Sequence, residues 1–186
     1  MLGQTNFEET LPDEIRRLAR LAVKDEYTFD FLEFGDEHSE RHLETAILGR
    51  IEPFLREMGG VFSFVGNQYR LEVGDQEYFV DLLLHRRRLR CLVAVELKIG
   101  EFLSEYVGKM LFYLAALDDN VRMKDENPSI AIILCKSKNK TIVEYALKES
   151  TKPIGVASYR VVSTLPEELR GQLPALDQVS KLLEDL

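Results

Sequence analysis

Cysteine is scarce in this chain: Cys91 and Cys135 are the only two in 186 residues. Both fall inside expected strands, and neither has a neighbour at metal-ligand spacing. That excludes a disulfide framework and a cysteine-based zinc site, and reads as reduced core thiols in a cytoplasmic protein. Long apolar runs are missing, which leaves no candidate for a transmembrane helix and no expected membrane partner. The first residues carry early acids (Glu8, Glu9, Asp13) and lack the basic-then-apolar order of a secretory signal. No internal repeat and no low-complexity tract occurs. Positive charge is also in deficit, with 24 Lys and Arg against 32 Asp and Glu, a net charge of −8. This weighs against a broadly basic nucleic-acid surface, though not against a local groove. The basic residues cluster at Arg86, Arg87, Arg88 and Arg90, and again at Lys136, Lys138 and Lys140. Taken alone, those clusters read as solvated loops.

What is present fits one soluble globular domain, since 45% hydrophobic and 30% charged residues leave no case for wholesale disorder. Residues 1–35 read as a leader packing on the body, with a short amphipathic stretch followed by aromatics. The body is expected over 36–186. A helix is expected over 36–58, stopped by Gly59-Gly60. Strands follow over 61–65, 69–73, 77–84 and 89–98, with Gly74-Asp75 as a tight turn. A long helix over 103–117, a strand over 129–135, a helix over 140–148 and a strand over 154–161 come next. The last segment, 165–186, reads as a helical tail broken near Pro174. This order describes a three-layer α/β sandwich around a mixed sheet.

The most informative positions are charges inside apolar strands. Glu96 and Lys98 close the run Leu92-Val93-Ala94-Val95-Glu96-Leu97-Lys98, and Asp81 sits in Tyr78-Phe79-Val80-Asp81-Leu82-Leu83-Leu84. Buried strands seldom carry charge without a task. Side chains alternate along a strand, so Glu96, Lys98 and Ala94 share a face. With a turn centred between Arg87 and Arg88, Asp81 pairs with Ala94 and lies diagonal to Glu96. A one-residue slip would send Asp81 to the other face. On the preceding helix, Leu43, Ile47, Leu48, Ile51, Phe54, Leu55 and Met58 form an apolar arc, and Glu44 lies within it. That carboxylate needs a partner: a cation, or a structural ion pair. On the later helix Val107, Met110, Leu111, Leu114 and Leu117 form the packing face. Tyr106, Lys109 and Tyr113 line a different one, which either looks into the same cleft or is an ordinary half-exposed surface.

Such a set suits hydrolysis of a phosphodiester. Hard divalent cations, magnesium (Mg2+) or manganese (Mn2+), prefer oxygen ligands, here Asp81, Glu96 and the Leu97 carbonyl. Glu44 would bind a second ion or orient a water. Lys98 would present a compact positive charge to water or phosphate. The competing reading of Glu96 and Lys98 is a plain strand salt bridge.

The four residues, a helical Glu, a strand Asp and a strand Glu-x-Lys, resemble the PD-(D/E)XK nuclease superfamily. Longer stretches resemble its YhcG-like branch from about residue 25 onward: Asp25-Glu26-Tyr27-Thr28-Phe29-Asp30-Phe31-Leu32, Phe64-Val65-Gly66-Asn67-Gln68-Tyr69-Arg70-Leu71-Glu72-Val73 and Val95-Glu96-Leu97-Lys98-Ile99-Gly100-Glu101-Phe102. Ile132-Ile133-Leu134-Cys135-Lys136-Ser137 and Lys152-Pro153-Ile154-Gly155-Val156 extend the likeness. The resemblance implies a restriction-endonuclease-like core and a Mg2+-dependent deoxyribonuclease, with branched or damaged DNA as candidate substrates. It carries Glu44, Asp81, Glu96 and Lys98 onto the catalytic positions. Gln68, Arg70, Tyr106 and Lys109 are candidates for substrate contact; Tyr69 is open between contact and core. Lys109 stands where members usually have Gln, and Leu111 near a usual Asn. Larger members carry an N-terminal helical DNA-binding domain, so this chain reads as a short homologue or an isolated nuclease domain. Cutting both strands would suit a homodimer. The alternative is a catalytically inactive module of the same fold that binds nucleic acid or a protein partner.

Overall fold

A computed structural model describes residues 2–32 and 38–161. The expected tail over 165–186 and the first residues of the expected 36–58 helix lie outside those described. The chain opens with β1 (Gln4–Thr5), α1 (Phe7–Thr10), α2 (Asp13–Arg20) and β2 (Glu26–Thr28), continuing through α3 (Glu40–Gly49), α4 (Ile51–Glu57) and β3 (Phe62–Val73). It then forms β4 (Gln76–Arg86), β5 (Cys91–Leu97), α5 (Glu105–Asn120), β6 (Ile130–Cys135), α6 (Lys140–Lys148) and β7 (Ile154–Arg160). The strands make one mixed sheet in the order β1-β7-β6-β5-β4-β3, with β2 also on β7. Pairing is antiparallel for β3–β4–β5 and parallel for β5–β6–β7. Among the described residues no helix is long and apolar enough to cross a membrane.

Strand alternation splits the core in two. Leu82, Leu84, Val93, Val95, Ile130, Ile132 and Leu134 pack toward α3, α4 and the N-terminal segment. Leu83, Ala94, Ala131, Ile133 and Val156 pack toward α5 and α6. This is the expected sandwich of helices, sheet and helices. The N-terminal segment contributes strands to the β7 edge and buries Phe7, Tyr27, Phe29 and Leu32.

One ion pair ties it down. Lys138, 5% exposed, bonds Asp25 at 2.5 Å and the Val156 carbonyl at 3.3 Å. Asp25→Ala strands that ammonium in a dry site, and we expect a loss of about 2–3 kcal/mol. A urea midpoint that falls with an unchanged slope is the confirming result. Arg86 is buried too, stacked 4.9 Å from the Phe62 ring. These two basic residues are therefore structural, which corrects the solvated-loop reading for Lys138 and Arg86. Both cysteines are free and buried, and burial pushes each thiol up to about 12.

Three local expectations need correction. The helix expected over 36–58 is two helices, broken at Arg50 (φ −130, ψ 41), and α3 starts after Ser39, whose side chain accepts from the His42 N–H at 3.2 Å. The break follows from Pro53, which has no N–H to donate to the Gly49 carbonyl. The strands expected over 61–65 and 69–73 are one strand, β3, with a register shift between Phe64 and Gly66. The turn after β4 spans 87–90 and closes on the pair Arg86↔Cys91, with Arg90 in a left-handed backbone (φ 48). Its centre therefore lies one position later than expected. Ala94 pairs with Leu83 and not with Asp81.

Candidate active site

Moving the turn centre by one residue moves the register by two, and two residues preserve the face. Asp81 therefore remains on the α5 side of the sheet. Extending the Leu82↔Val95 pairing by one step sets it beside Glu96 and not diagonal to it. The contact is tight: the Leu97 N–H donates to Asp81 Oδ2 at 2.9 Å. Burial, then the negative charge of Glu96, pushes the Asp81 carboxyl up to about 6, against the pull of the Leu97 N–H and the two nearby lysines.

Glu96 is fully buried on β5. Its Oε1 takes two ammonium groups, Lys98 Nζ at 3.0 Å and Lys109 Nζ at 2.5 Å. Its Oε2 is buried with no hydrogen-bond partner among the described residues. A bare carboxylate oxygen in a dry site is costly unless something positive meets it.

Lys98 is 13% exposed and also reaches Glu40 Oε2 at 3.3 Å. Burial works against its charge, but Glu96 and Glu40 outweigh that effect and raise its pKa. Lys109 behaves likewise: burial opposes the charge and the Glu96 bond prevails. Two rings of α5 back these cations, with Tyr106 5.1 Å from Lys98 Nζ and Tyr113 5.3 Å from Lys109 Nζ. Tyr113 is buried, so it belongs with the packing residues as well as with this cluster; Leu111 is only partly buried.

Glu44 comes from α3, on the other side of the sheet. It meets the cluster through β3, where Gln68 Nε2 lies 2.8 Å from Glu44 Oε2 and 3.3 Å from Asp81 Oδ1. Asn67 Nδ2 adds a long contact to Glu44 Oε1 at 3.4 Å. Thus Glu44, Gln68, Asp81, Glu96, Lys98, Tyr106 and Lys109 form one chain of contacts. Arg70 does not join it and pairs with Glu72 and Glu77. Tyr69 is partly buried against the α5-side core. Glu40 and Asn67 were not singled out from the sequence. Glu40 lies one helical turn before Glu44, a spacing that would have found it.

The acids that could hold a hard cation are Asp81 and Glu96, with the Leu97 carbonyl as a third oxygen. Among the described residues no group of three or more His, Cys, Asp or Glu gathers as a ready-made ion cage. A site of two carboxylates still fits an ion that keeps several waters, and the unpartnered Glu96 Oε2 is the oxygen such an ion would satisfy.

The sequence is similar to known proteins. YhcG of Escherichia coli (strain K12) is 37% identical over 163 residues, which is 88% of this chain and 43% of that protein. The chain thus spans less than half the length of that curated relative. Two solved structures are similar at lower levels. A repair endonuclease from Pyrococcus abyssi has a TM-score of 0.44 and 17% identity, over 72% of this chain and 50% of that one. An EndoMS complex with double-stranded DNA has a TM-score of 0.45 and 16% identity, over 74% and 50% respectively. The model of the YhcG PDDEXK nuclease domain matches residues 20–174, and the chain belongs to that family.

Proposed function

We infer that the chain is a metal-dependent nuclease that hydrolyses DNA phosphodiester bonds at the Asp81–Glu96–Lys98 centre, with branched or damaged DNA as the preferred class. The observation that carries this reading is the pairing of Asp81 with a fully buried Glu96 whose Oε2 has no partner among the described residues. Membership of a nuclease family supports it. A divalent ion held by Asp81, Glu96 and the Leu97 carbonyl would supply Lewis-acid stabilisation of the phosphate and lower the pKa of the attacking water. The protein supplies the rest. Lys98 holds a fixed positive charge at the mouth of the site. Glu96 anchors Lys98, and Glu40 holds it from α3. The Tyr106 ring stands beside that ammonium.

The test is incubation of the purified chain with plasmid and branched DNA in Mg2+ or Mn2+. Cleavage is expected, and Asp81→Asn and Glu96→Gln should each lower its rate by about a hundredfold or more. Cleavage indifferent to both substitutions would refute the assignment.

One contact favours a second reading. Lys109 Nζ sits 2.5 Å from Glu96 Oε1, so a resident ammonium already neutralises the acid that an ion would need. On this reading the chain is an inactive module that binds nucleic acid or a protein. It predicts salt-sensitive DNA binding that is unchanged by Asp81→Asn, and no Mn2+ uptake.

A further inference from the structure

Gln68 is the least ordinary residue of β3. Asn67↔Leu82 and Tyr69↔Val80 pair on either side of it in one register, which sets Gln68 opposite Asp81. Its own backbone is left-handed, with φ 42. A side chain larger than Gly or Asn rarely adopts that region, and strain of this kind gathers at functional sites. No slip of register accompanies it, since the shift in β3 lies earlier, between Phe64 and Gly66. The kink is local, and the Gln68 amide ends up between two carboxylates, Glu44 Oε2 at 2.8 Å and Asp81 Oδ1 at 3.3 Å. An NH2 group has two donor hydrogens, so it can serve both acids at once. Bridging two carboxylates from different layers is otherwise the work of a cation.

We propose that the Gln68 amide takes the place of a second cation between Glu44 and Asp81, so that this centre holds one divalent ion and not two. The proposal rests on the metal-centre reading above and sharpens it. Charge points the same way. Four carboxylates (Glu40, Glu44, Asp81, Glu96) meet two ammonium groups (Lys98, Lys109), which leaves two negative charges. One divalent ion neutralises them. Glu44, with amide donors at both oxygens, then acts as a positioning residue: it holds Gln68, and Gln68 holds Asp81.

The experiment counts ions, with no DNA present. The full chain is titrated with Mn2+ alone, by calorimetry and by the spin-resonance signal of free Mn2+. Three forms are compared: the parent, Q68E, and Q68E combined with E44Q. Thermal melts confirm folding. The parent is expected to take one Mn2+ per chain. Q68E replaces the bridging donor with a third acid and should take two, with the magnetic coupling of a close Mn2+ pair. Adding E44Q should return the count to one. Two ions on the parent, or one on a folded Q68E, overturns the proposal while leaving the metal centre standing. No Mn2+ on the parent overturns the metal centre itself, and this inference with it.

Discussion

Lys98→Met is expected to slow DNA cleavage by about two to three orders of magnitude while Mn2+ still binds. The two effects separate because Lys98 is not among the oxygen donors. Its ammonium rests 3.0 Å from Glu96 Oε1 and 3.3 Å from Glu40 Oε2. Those two acids overcome the burial of the side chain and keep it charged across the range in which cleavage would be assayed. On the proposed reading Lys98 would thus offer the phosphate a standing positive charge, and would not act as a base that gives up its proton near neutral pH. Removing it would, on that reading, take away stabilisation of charge that grows during the reaction. Lys98→Arg is expected to restore little, because a planar, forked guanidinium does not reproduce a compact ammonium between two acids. Initial rates on plasmid DNA, set beside Mn2+ calorimetry, decide the matter. A rate within about threefold of the parent would remove Lys98 from the chemistry.

The second large effect has the opposite sign. Asp81→Asn should slow cleavage by about a hundredfold or more and yet stabilise the metal-free protein by about 1–2 kcal/mol at pH 7. Burial and the neighbouring Glu96 raise the Asp81 carboxyl from 3.8 to about 6. The folded chain therefore holds this proton more tightly than the unfolded chain. As pH rises from about 4 to about 6, the unfolded state releases its proton first, and folded stability falls through that window. Above it the penalty is complete. Asn carries no charge, keeps an oxygen for the Leu97 N–H, and forfeits only the long contact from Gln68. A melting temperature higher by about 3–6 °C is expected without metal. The gain should vanish at pH 4, where the parent is protonated too. With Mn2+ added, the parent should recover stability and the variant should not. A metal-free variant that melts below the parent at pH 7 would contradict this account.

Much of the architecture was legible from apolar runs and turn residues. The apolar runs Leu92–Leu97 and 130–135 located two adjacent strands of the central sheet, and Gly74-Asp75 marked a turn whose glycine adopts φ 62. The helix break was written in Pro53 but hidden by an apolar arc that runs smoothly across it. Register was the weakest link, because turn length is set by backbone geometry at Arg90 that no residue type there announces. The face of Asp81 survived because the error was an even number. Glu96, Lys98 and Asp81 stood out as charges in apolar strands. Glu40 did not, since an acid in the first turn of a helix looks like ordinary capping charge, and only its spacing from Glu44 pointed to it. The bridging position of Gln68 was out of reach for a different reason: it depends on one left-handed residue in a strand whose composition gives no sign of it.

Among the described residues that strand also borders the sheet: β3 is 12 residues long and is paired on one side only. A straight, apolar border of this length would invite another molecule to add its own strand, the first step of fibre growth. The bulge near Val65 and the left-handed residue at 68 spoil the even ladder such an addition needs, and Arg70 and Glu72 add charge beyond it. Straightening this border to improve stability would thus carry a double penalty, in chemistry and in solubility.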